Sequence, residues 1–410
     1  MRILYLTSNL PFPLMAGHLR YYHFMRELSQ RHSITLYSLT SKSFLPEHVR
    51  AFDGIAQEVR TFPRLDEEGP FGKLLKEDVR LFYGFEPALR QLRAATAELA
   101  KSGRIDAVVL CGKRVLAAAK PIRGIPIVAD ICDAESVRVR MRIRHARPAE
   151  LPRLAMGWAL LHSMEQAVAR RVDRMLFASP RDRDAVVKRD DPRAAIVPNG
   201  VDSEYWRRRT AERGRATILF TGAMHYRPNA DAALLLAQEV FPLVRREIPE
   251  ARLVLVGRDP SEAVRACGMA PGVEVTGLVD DVRPYLEQAT VFAAPLRFAS
   301  GIQNKVLEAM SMEIPVVATT AAADGLYAEG GQKPPIVVAD DPAEIAQALV
   351  QRIQEEGRAP FAEARRFVEH HFSWRTHARR VESILESAAG RFSLSTPREN
   401  LRAESTVSPP

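Results

Sequence analysis

The chain has 410 residues, of which 46% are hydrophobic and 26% charged, with a formal net charge of +8. That length exceeds one ordinary core and predicts two domains of roughly 150–200 residues each, and the composition excludes a disordered or collagen-like chain over most of its length. The positive charge suits an anionic ligand, an anionic membrane surface or nucleic acid, but no zinc-finger spacing, aromatic RNA-binding signature or basic tail supports the last.

The three cysteines, Cys111, Cys132 and Cys267, fit neither a zinc nor a disulfide framework, and a reducing compartment is expected. Met1 to Leu6 resembles the start of a signal peptide. Its apolar run stops at Thr7-Ser8-Asn9 and is too short for one, so a first core strand is expected. The longest apolar run, Leu154 to Leu161, is eight residues, so no membrane-spanning helix is expected.

Arg2–Thr7 is β-rich, and Leu19, Tyr22, Met25 and Leu28 then repeat at helical spacing over Gly17–Arg31. Strands are expected at Ser33–Ser38, Ala107–Leu110, Ile127–Ile131 and Arg174–Ala178, with helical stretches between them. The rhythm pauses at Val197-Pro198-Asn199-Gly200-Val201-Asp202 and a charged stretch from Arg207 to Arg215. It restarts with strand Ile218–Thr221, helix Asp231–Arg246 and strands Leu253–Val256 and Val273–Thr276. Helix Val282–Ala289, strand Val291–Ala294, helix Asn304–Met312 and strand Val316–Thr319 follow. Alternating βα segments predict parallel sheets covered on both faces, a doubly wound α/β architecture in each half. Ser373 is placed to cap a last helix to about Ala389, and the Ser-, Thr- and Pro-rich residues from 391 onward predict a disordered tail.

Ligands of such sheets bind at the carboxyl ends of strands. The most unusual strand-end loop runs from Pro295 through Ser300-Gly301-Ile302-Gln303 into Asn304-Lys305-Val306-Leu307-Glu308-Ala309-Met310. Amide groups at a helix start bind phosphates readily. Lys305 in that first turn opposes the helix dipole, a cost that an intervening anion would offset. Glu308 lies at i+4 from Asn304, on the same face, where a carboxylate can accept hydrogen bonds from a ribose diol. The alternative is a surface Lys–Glu pair on a plain helix.

This segment resembles the donor-binding motif of glycosyltransferase family 4. Gly301, Glu308, Ala309, Met310 and Pro315-Val316-Val317 match that motif at the family spacing, in a form similar to a bacterial exopolysaccharide branch. Ser300 stands where the family has its first glutamate, Ile302 takes the aromatic position and Gln303 replaces the second glycine. Thr7 to Gly17 resembles the first-strand loop that approaches the donor, Val197 to Asp202 the interdomain signature, and Phe220-Thr221-Gly222 the start of the second domain. Ala223 and Pro228 replace the usual Arg and Lys there, so Lys305 and Arg227 are expected to supply the positive charge. Leu253 to Arg258 resembles the next strand and loop, and Gly277, Leu278 and Val279 the backbone that reads the nucleobase.

The resemblance implies a GT-B fold of two Rossmann-like domains facing across a cleft. Residues 1–205 would bind the acceptor and 206–375 the nucleotide sugar, with 376–390 returning to the first domain and 391–410 a tail. It implies a retaining, metal-independent hexosyl transfer from a nucleotide sugar, which is a substrate and not a cofactor, to a glycan or lipid-linked acceptor. The expected donor contacts are Gly17, Gly222, Arg227, Arg258, Ser300, Gly301, Ile302, Gln303, Asn304, Lys305 and Glu308, with Lys305 also stabilising the departing diphosphate. Asp130 and Asp133, in a strand that resembles one ending in His-Asp, are candidates for orienting or deprotonating the acceptor hydroxyl. Asp133 reads equally as a helix cap. Ser179 and Asp182 read as a plain capping start. Neither the ten histidines nor the aspartates suggest a metal site. Arg138, Arg140, Arg142 and Arg144 form either a solvated face or a dock for the anionic inner membrane leaflet. A donor-binding but inactive subunit and a nucleotide-sugar epimerase are the alternatives.

Overall fold

The structure is a computed structural model that describes residues 1–14, 16–41, 44–64, 77–144, 146–210, 214–299, 301–327, 331–355 and 361–395. It contains two sheets. The strands of the first are β1 (Arg2–Thr7), β2 (Ser33–Thr40), β3 (Glu58–Pro63), β4 (Ala107–Cys111), β5 (Ile127–Cys132), β6 (Arg174–Phe177) and β7 (Ala194–Ile196), in the order β3-β2-β1-β4-β5-β6-β7. The second holds β8 (Thr217–Thr221), β9 (Arg252–Val256), β10 (Val273–Gly277), β11 (Val291–Ala294), β12 (Val316–Ala318) and β13 (Val337–Val338), in the order β10-β9-β8-β11-β12-β13.

Pairing is parallel from β3 to β5 and throughout the second sheet. β4, β8 and β11 are buried at every position, the signature of strands covered on both faces. In each sheet the strand order reverses beside its first strand: β1 lies between β2 and β4, and β8 between β9 and β11. Loops leaving neighbouring strands at such a switch point diverge and open a ligand crevice. The loop of interest, after β11, leaves from that position.

By packing, the chain divides into two compact units. One comprises Met1–Asp130, Arg170–Met175 and Arg379–Pro410, the other Ile131–Ala169 and Leu176–Ala378. The division therefore runs through β5 and β6 and is not a single cut in the chain.

Two elements differ from expectation. The single helix expected over Asp231–Arg246 is instead a helix Arg227–Leu235, a π-helical segment Leu236–Val240 and a helix Phe241–Glu247. Pro242 has no N–H to bond four residues back, and a wider turn accommodates it. The last helix runs Trp374–Ser395, so residues 391–395 are helical and not tail; the rest of the predicted tail, 396–410, lies outside the described residues. In the first unit, Glu382 of that helix accepts from Arg31 and pairs with His32 Nε2 at 2.7 Å. Among the described residues His32, Glu382 and Glu386 are the one group with metal-ligand spacing. The Arg31 contact gives it the character of a helix-docking ion cluster.

Candidate functional site

In the second unit, the loops after β8, β9 and β10 form one hydrogen-bonded shelf. Gly222 N donates to Val256 O (2.9 Å), Met224 N to Arg258 O (2.8 Å) and Gly257 N to Gly277 O (3.2 Å). The contact is too close for side chains: a Cβ on Gly257 would stand 1.7 Å from Gly222 O. A Cβ on Gly222 would meet Asn229 at 2.7 Å and Lys305 Nζ at 2.8 Å. Glycine at 222 thus lets the Lys305 ammonium reach the loop after β8.

Lys305 is on the helix Asn304–Ser311, which buries Val306, Leu307, Ala309 and Met310 and thereby turns Lys305 and Glu308 away from the core. Lys305 Nζ donates to Asn229 Oδ1 at 2.5 Å and lies 4.6 Å from the Phe220 ring centroid. Burial lowers its pKa to about 7 against the opposing pull of Glu308. Glu308 is its counterpart: burial raises the carboxyl to about 7, with Lys305 pulling the other way. Among the described residues the Glu308 side chain makes no hydrogen bond. A cation held by one neutral amide, and a carboxylate one turn away with no donor on it, form an incomplete polar site. Both side chains are half-buried, so they remain open to a ligand that would supply the missing partners.

The loop before this helix is pinned by carboxylates. Gly301 has φ +62°, and a Cβ there would fall 1.9 Å from Asp133 Oδ1, so both conformation and space require glycine. Gly301 N donates to Asp182 Oδ2 at 3.2 Å. Asp182 also accepts from Ser179 Oγ (2.5 Å) and, on Oδ1, from Ala134 N (3.1 Å), so one fully buried side chain ties together the loops after β5, β6 and β11. Burial, reinforced by the nearby Asp133 charge, raises Asp182 to about 7. Asp133 accepts from Cys132 Sγ (3.2 Å), and Cys132 is a non-glycine residue at φ +57°. Such outliers persist where surroundings over-determine them.

Several expected site residues lie elsewhere. Asp130 is not at a strand end. It is 1% exposed inside the first unit and binds Arg20 Nε at 2.7 and 2.9 Å, because an interior carboxylate needs a paired cation. The Ile302 side chain belongs to the hydrophobic core and offers a ligand only its backbone. Arg227 reaches Glu150 (3.5 Å) and Arg258 reaches Asp259 (3.9 Å), so neither guanidinium joins Lys305. Asn304 Oδ1 accepts from Asn199 Nδ2 (3.1 Å), which links the 197–202 segment to the helix start, and Gln303 stands at the helix N-cap position. Gly277 has φ +72°, and Leu278 beside it is 76% exposed, with Val279 half-buried. Gly17 is the second residue of the helix Ala16–Leu28. Ser300 lies outside the described residues.

The arginine run does not form one face. On the helix Glu135–Ile143, residues two apart point to opposite sides. Arg138 bonds Tyr226 Oη (2.9 Å) and Arg142 bonds Glu150 (3.2 Å), while Arg140 and Arg144 are exposed. Sequence reasoning places Asn199 and Phe220 only within motifs, gives Asn229 no contact of its own, and reads Asp182 as a cap. That cap exists, since Asp182 N donates to Ser179 Oγ at 3.2 Å, but the same carboxylate also holds Gly301.

The family model described as glycosyl transferases group 1 matches residues 215–355, the stretch that contains the glycine shelf, Lys305 and Glu308. A phosphatidyl-myo-inositol mannosyltransferase of Mycobacterium leprae is 26% identical over 205 residues, covering 48% of this chain and 54% of that protein. The chain thus aligns with about half the length of this curated relative. Among solved structures, Anabaena HepE in complex with UDP and glucose matches with a TM-score of 0.66 at 14% identity, over 94% of this chain and 100% of that one. A glycosyltransferase from Rickettsia africae ESF-5 matches with a TM-score of 0.65 at 11% identity, over 94% and 98%. At these identities the structures speak for the fold. Residues 215–355 thus match the glycosyl transferases group 1 domain, in a chain whose two Rossmann-like sheets have the GT-B fold.

Proposed function

We propose that the chain is a retaining glycosyltransferase that moves a sugar from a nucleotide sugar to a glycan or lipid-linked acceptor in surface-polysaccharide synthesis. The observation that carries the donor side is the placement of Lys305. Its ammonium stands at the Gly222 loop, where the resembled family places cations of its own, and only a neutral amide and a ring face hold it. A nucleoside diphosphate seated on the glycine shelf would meet Lys305 Nζ, and its ribose would meet Glu308. Lys305 would then stabilise the charge that develops on the departing diphosphate. The reading needs no cofactor and no metal, with Lys305 as the cation at the diphosphate. Asp133, beside Gly301 in the same unit, is placed to contact the reacting sugar or the incoming hydroxyl. The retaining outcome and the polysaccharide role rest on the family resemblance.

No helix among the described residues is long and apolar enough to cross a membrane. We place the enzyme in the cytoplasm at the inner membrane surface, with Arg140 and Arg144 as the exposed remainder of the basic run. The test is a panel of nucleotide sugars and free nucleotides. At a hundred times its dissociation constant a bound donor stabilises the fold by about 2.7 kcal/mol. The donor that does so should also be turned over with a membrane-extract acceptor. Stabilisation without turnover on any acceptor would favour a donor-binding, inactive subunit. A sugar altered without transfer would favour an epimerase, and no stabilisation by any nucleotide would reject the donor site.

A further inference from the structure

Of the arginine run, Arg138 is tied to the glycine shelf. It lies on the helix Glu135–Ile143, which follows Asp133 at the carboxyl end of β5. Its guanidinium donates to Tyr226 Oη at 2.9 Å, and its Cζ lies 5.5 Å from the Tyr226 ring centroid. Tyr226 ends the loop after β8 that begins at Gly222, and Tyr226 N closes a turn onto Ala223 O at 3.1 Å. Lys305 reaches the same short loop at its other end, over Gly222.

The two cations are held alike. Lys305 has a neutral amide and a phenyl ring beside it, and Arg138 has a neutral phenol and its ring. Among the described residues neither donates a hydrogen bond to a carboxylate. The other arginines of these loops are paired: Arg227 with Glu150, Arg258 with Asp259, Arg297 with Asp231 and Arg181 with Asp324. Burial opposes the charge on Arg138, but the fields of Tyr226, Glu135 and Asp133 outweigh it and hold its pKa above the ordinary arginine value. Asp133 is also the carboxylate against Gly301, so Arg138 shares the neighbourhood of the loop that leads into Lys305.

A guanidinium carries five N–H donors, and Arg138 spends one of them on Tyr226. Its side chain is half-buried, so the remaining donors are partly desolvated and still open to a ligand. The planar fork matches the paired oxygens of a phosphoryl group. A diphosphate carries more than one negative charge, and Lys305 alone supplies at most one positive charge against it. We propose that Arg138 is the second cation of the donor site and binds the diphosphate together with Lys305. The assignment rests on the donor reading of the glycine shelf, and one set of titrations separates the two.

The full chain is titrated calorimetrically with a nucleoside diphosphate and with the corresponding nucleoside. The parent is compared with Arg138→Gln, Arg138→Lys, Tyr226→Phe and Lys305→Ala, each checked for folding by its melting temperature. Arg138→Gln should weaken the diphosphate about tenfold or more and the nucleoside by less than about threefold. Arg138→Lys keeps the charge without the fork and should recover part of the loss. Tyr226→Phe removes the phenol that orients the guanidinium but not the guanidinium itself, and should stay within about threefold of the parent. The proposal is overturned if Lys305→Ala weakens the diphosphate while Arg138→Gln binds it like the parent, an outcome that leaves the donor reading intact. Equal weakening of diphosphate and nucleoside by Arg138→Gln also overturns it. So does a loss in Tyr226→Phe as large as that in Arg138→Gln, which would make Arg138 a tie to the loop and not a ligand contact. If the parent binds no nucleotide, the donor reading falls and the Arg138 assignment falls with it.

Discussion

Arg20–Asp130 in the first unit, which joins a helix to a strand, and Lys305–Glu308 in the second, which lies within one helix, are both cation–carboxylate pairs, built in opposite ways. Arg20 Nε bonds both Asp130 oxygens, and both residues are nearly inaccessible. Lys305 and Glu308 share no hydrogen bond. The lysine leans on Asn229 and the carboxylate on nothing described. The first pair is closed and its charges are spent on each other. The second is held apart by one helical turn, at a cost visible in both pKa values moving to about 7. Proximity of opposite charges therefore does not mark a site. What marks it is the absence of mutual satisfaction where loops converge.

The largest contrast is in stability. Asp130→Ala leaves an unpaired buried guanidinium and should cost about 3–5 kcal/mol in urea unfolding. The protein that remains folded should keep its nucleotide affinity. Glu308→Gln should do the reverse, leaving stability within about 1 kcal/mol and weakening nucleoside binding. Equal stability losses in the two variants would erase the distinction between a spent pair and an open one.

Gly301→Ala sharpens the comparison from the loop side. The added methyl meets Asp133 at 1.9 Å in a left-handed conformation, so the loop must move. Donor affinity or turnover should fall more than about tenfold, roughly the 1.4 kcal/mol of a single misplaced contact. An unaffected enzyme would mean that the Gly301–Asp133 contact does not position the helix start.

A smaller effect is expected from Asp182. Its carboxyl is held up to about 7 in the folded chain, against an ordinary value of about 3.9 when unfolded. The folded state therefore holds the proton more tightly, and between about pH 4 and 7 this group removes stability as pH rises. Asp182→Asn should flatten that part of the stability–pH profile. It should also weaken donor binding, because its amide can no longer accept from Ala134, Ser179 and Gly301 together. An unchanged slope would remove Asp182 from the titrating cluster.

The two doubly wound sheets were legible because β1, β4, β8 and β11 are short apolar runs separated by helical spacing. So was the loop after β11, since Gly301, Lys305 and Glu308 stand in an order that demands explanation. Less legible was which carboxylate does what. Asp130 and Asp133 are three residues apart in one segment, yet one faces Arg20 in the interior and the other faces Gly301. Only tertiary packing separates them. The arginine run misled for a related reason: alternate residues suggest one surface in sequence, but on a helix Arg138 and Arg142 turn inward while Arg140 and Arg144 remain in solvent. The pairing of Asn229 with Lys305 was not legible, because the two are 76 residues apart.

The most direct test of the open pair is calorimetric titration of Lys305→Ala with a nucleoside diphosphate and with the corresponding nucleoside. Loss of a charge-assisted contact of about 1.5–3 kcal/mol predicts roughly 10- to 150-fold weaker diphosphate binding. Nucleoside binding should change by less than about threefold. Equal weakening of both ligands, or no weakening of either, would contradict the placement of the diphosphate at Lys305.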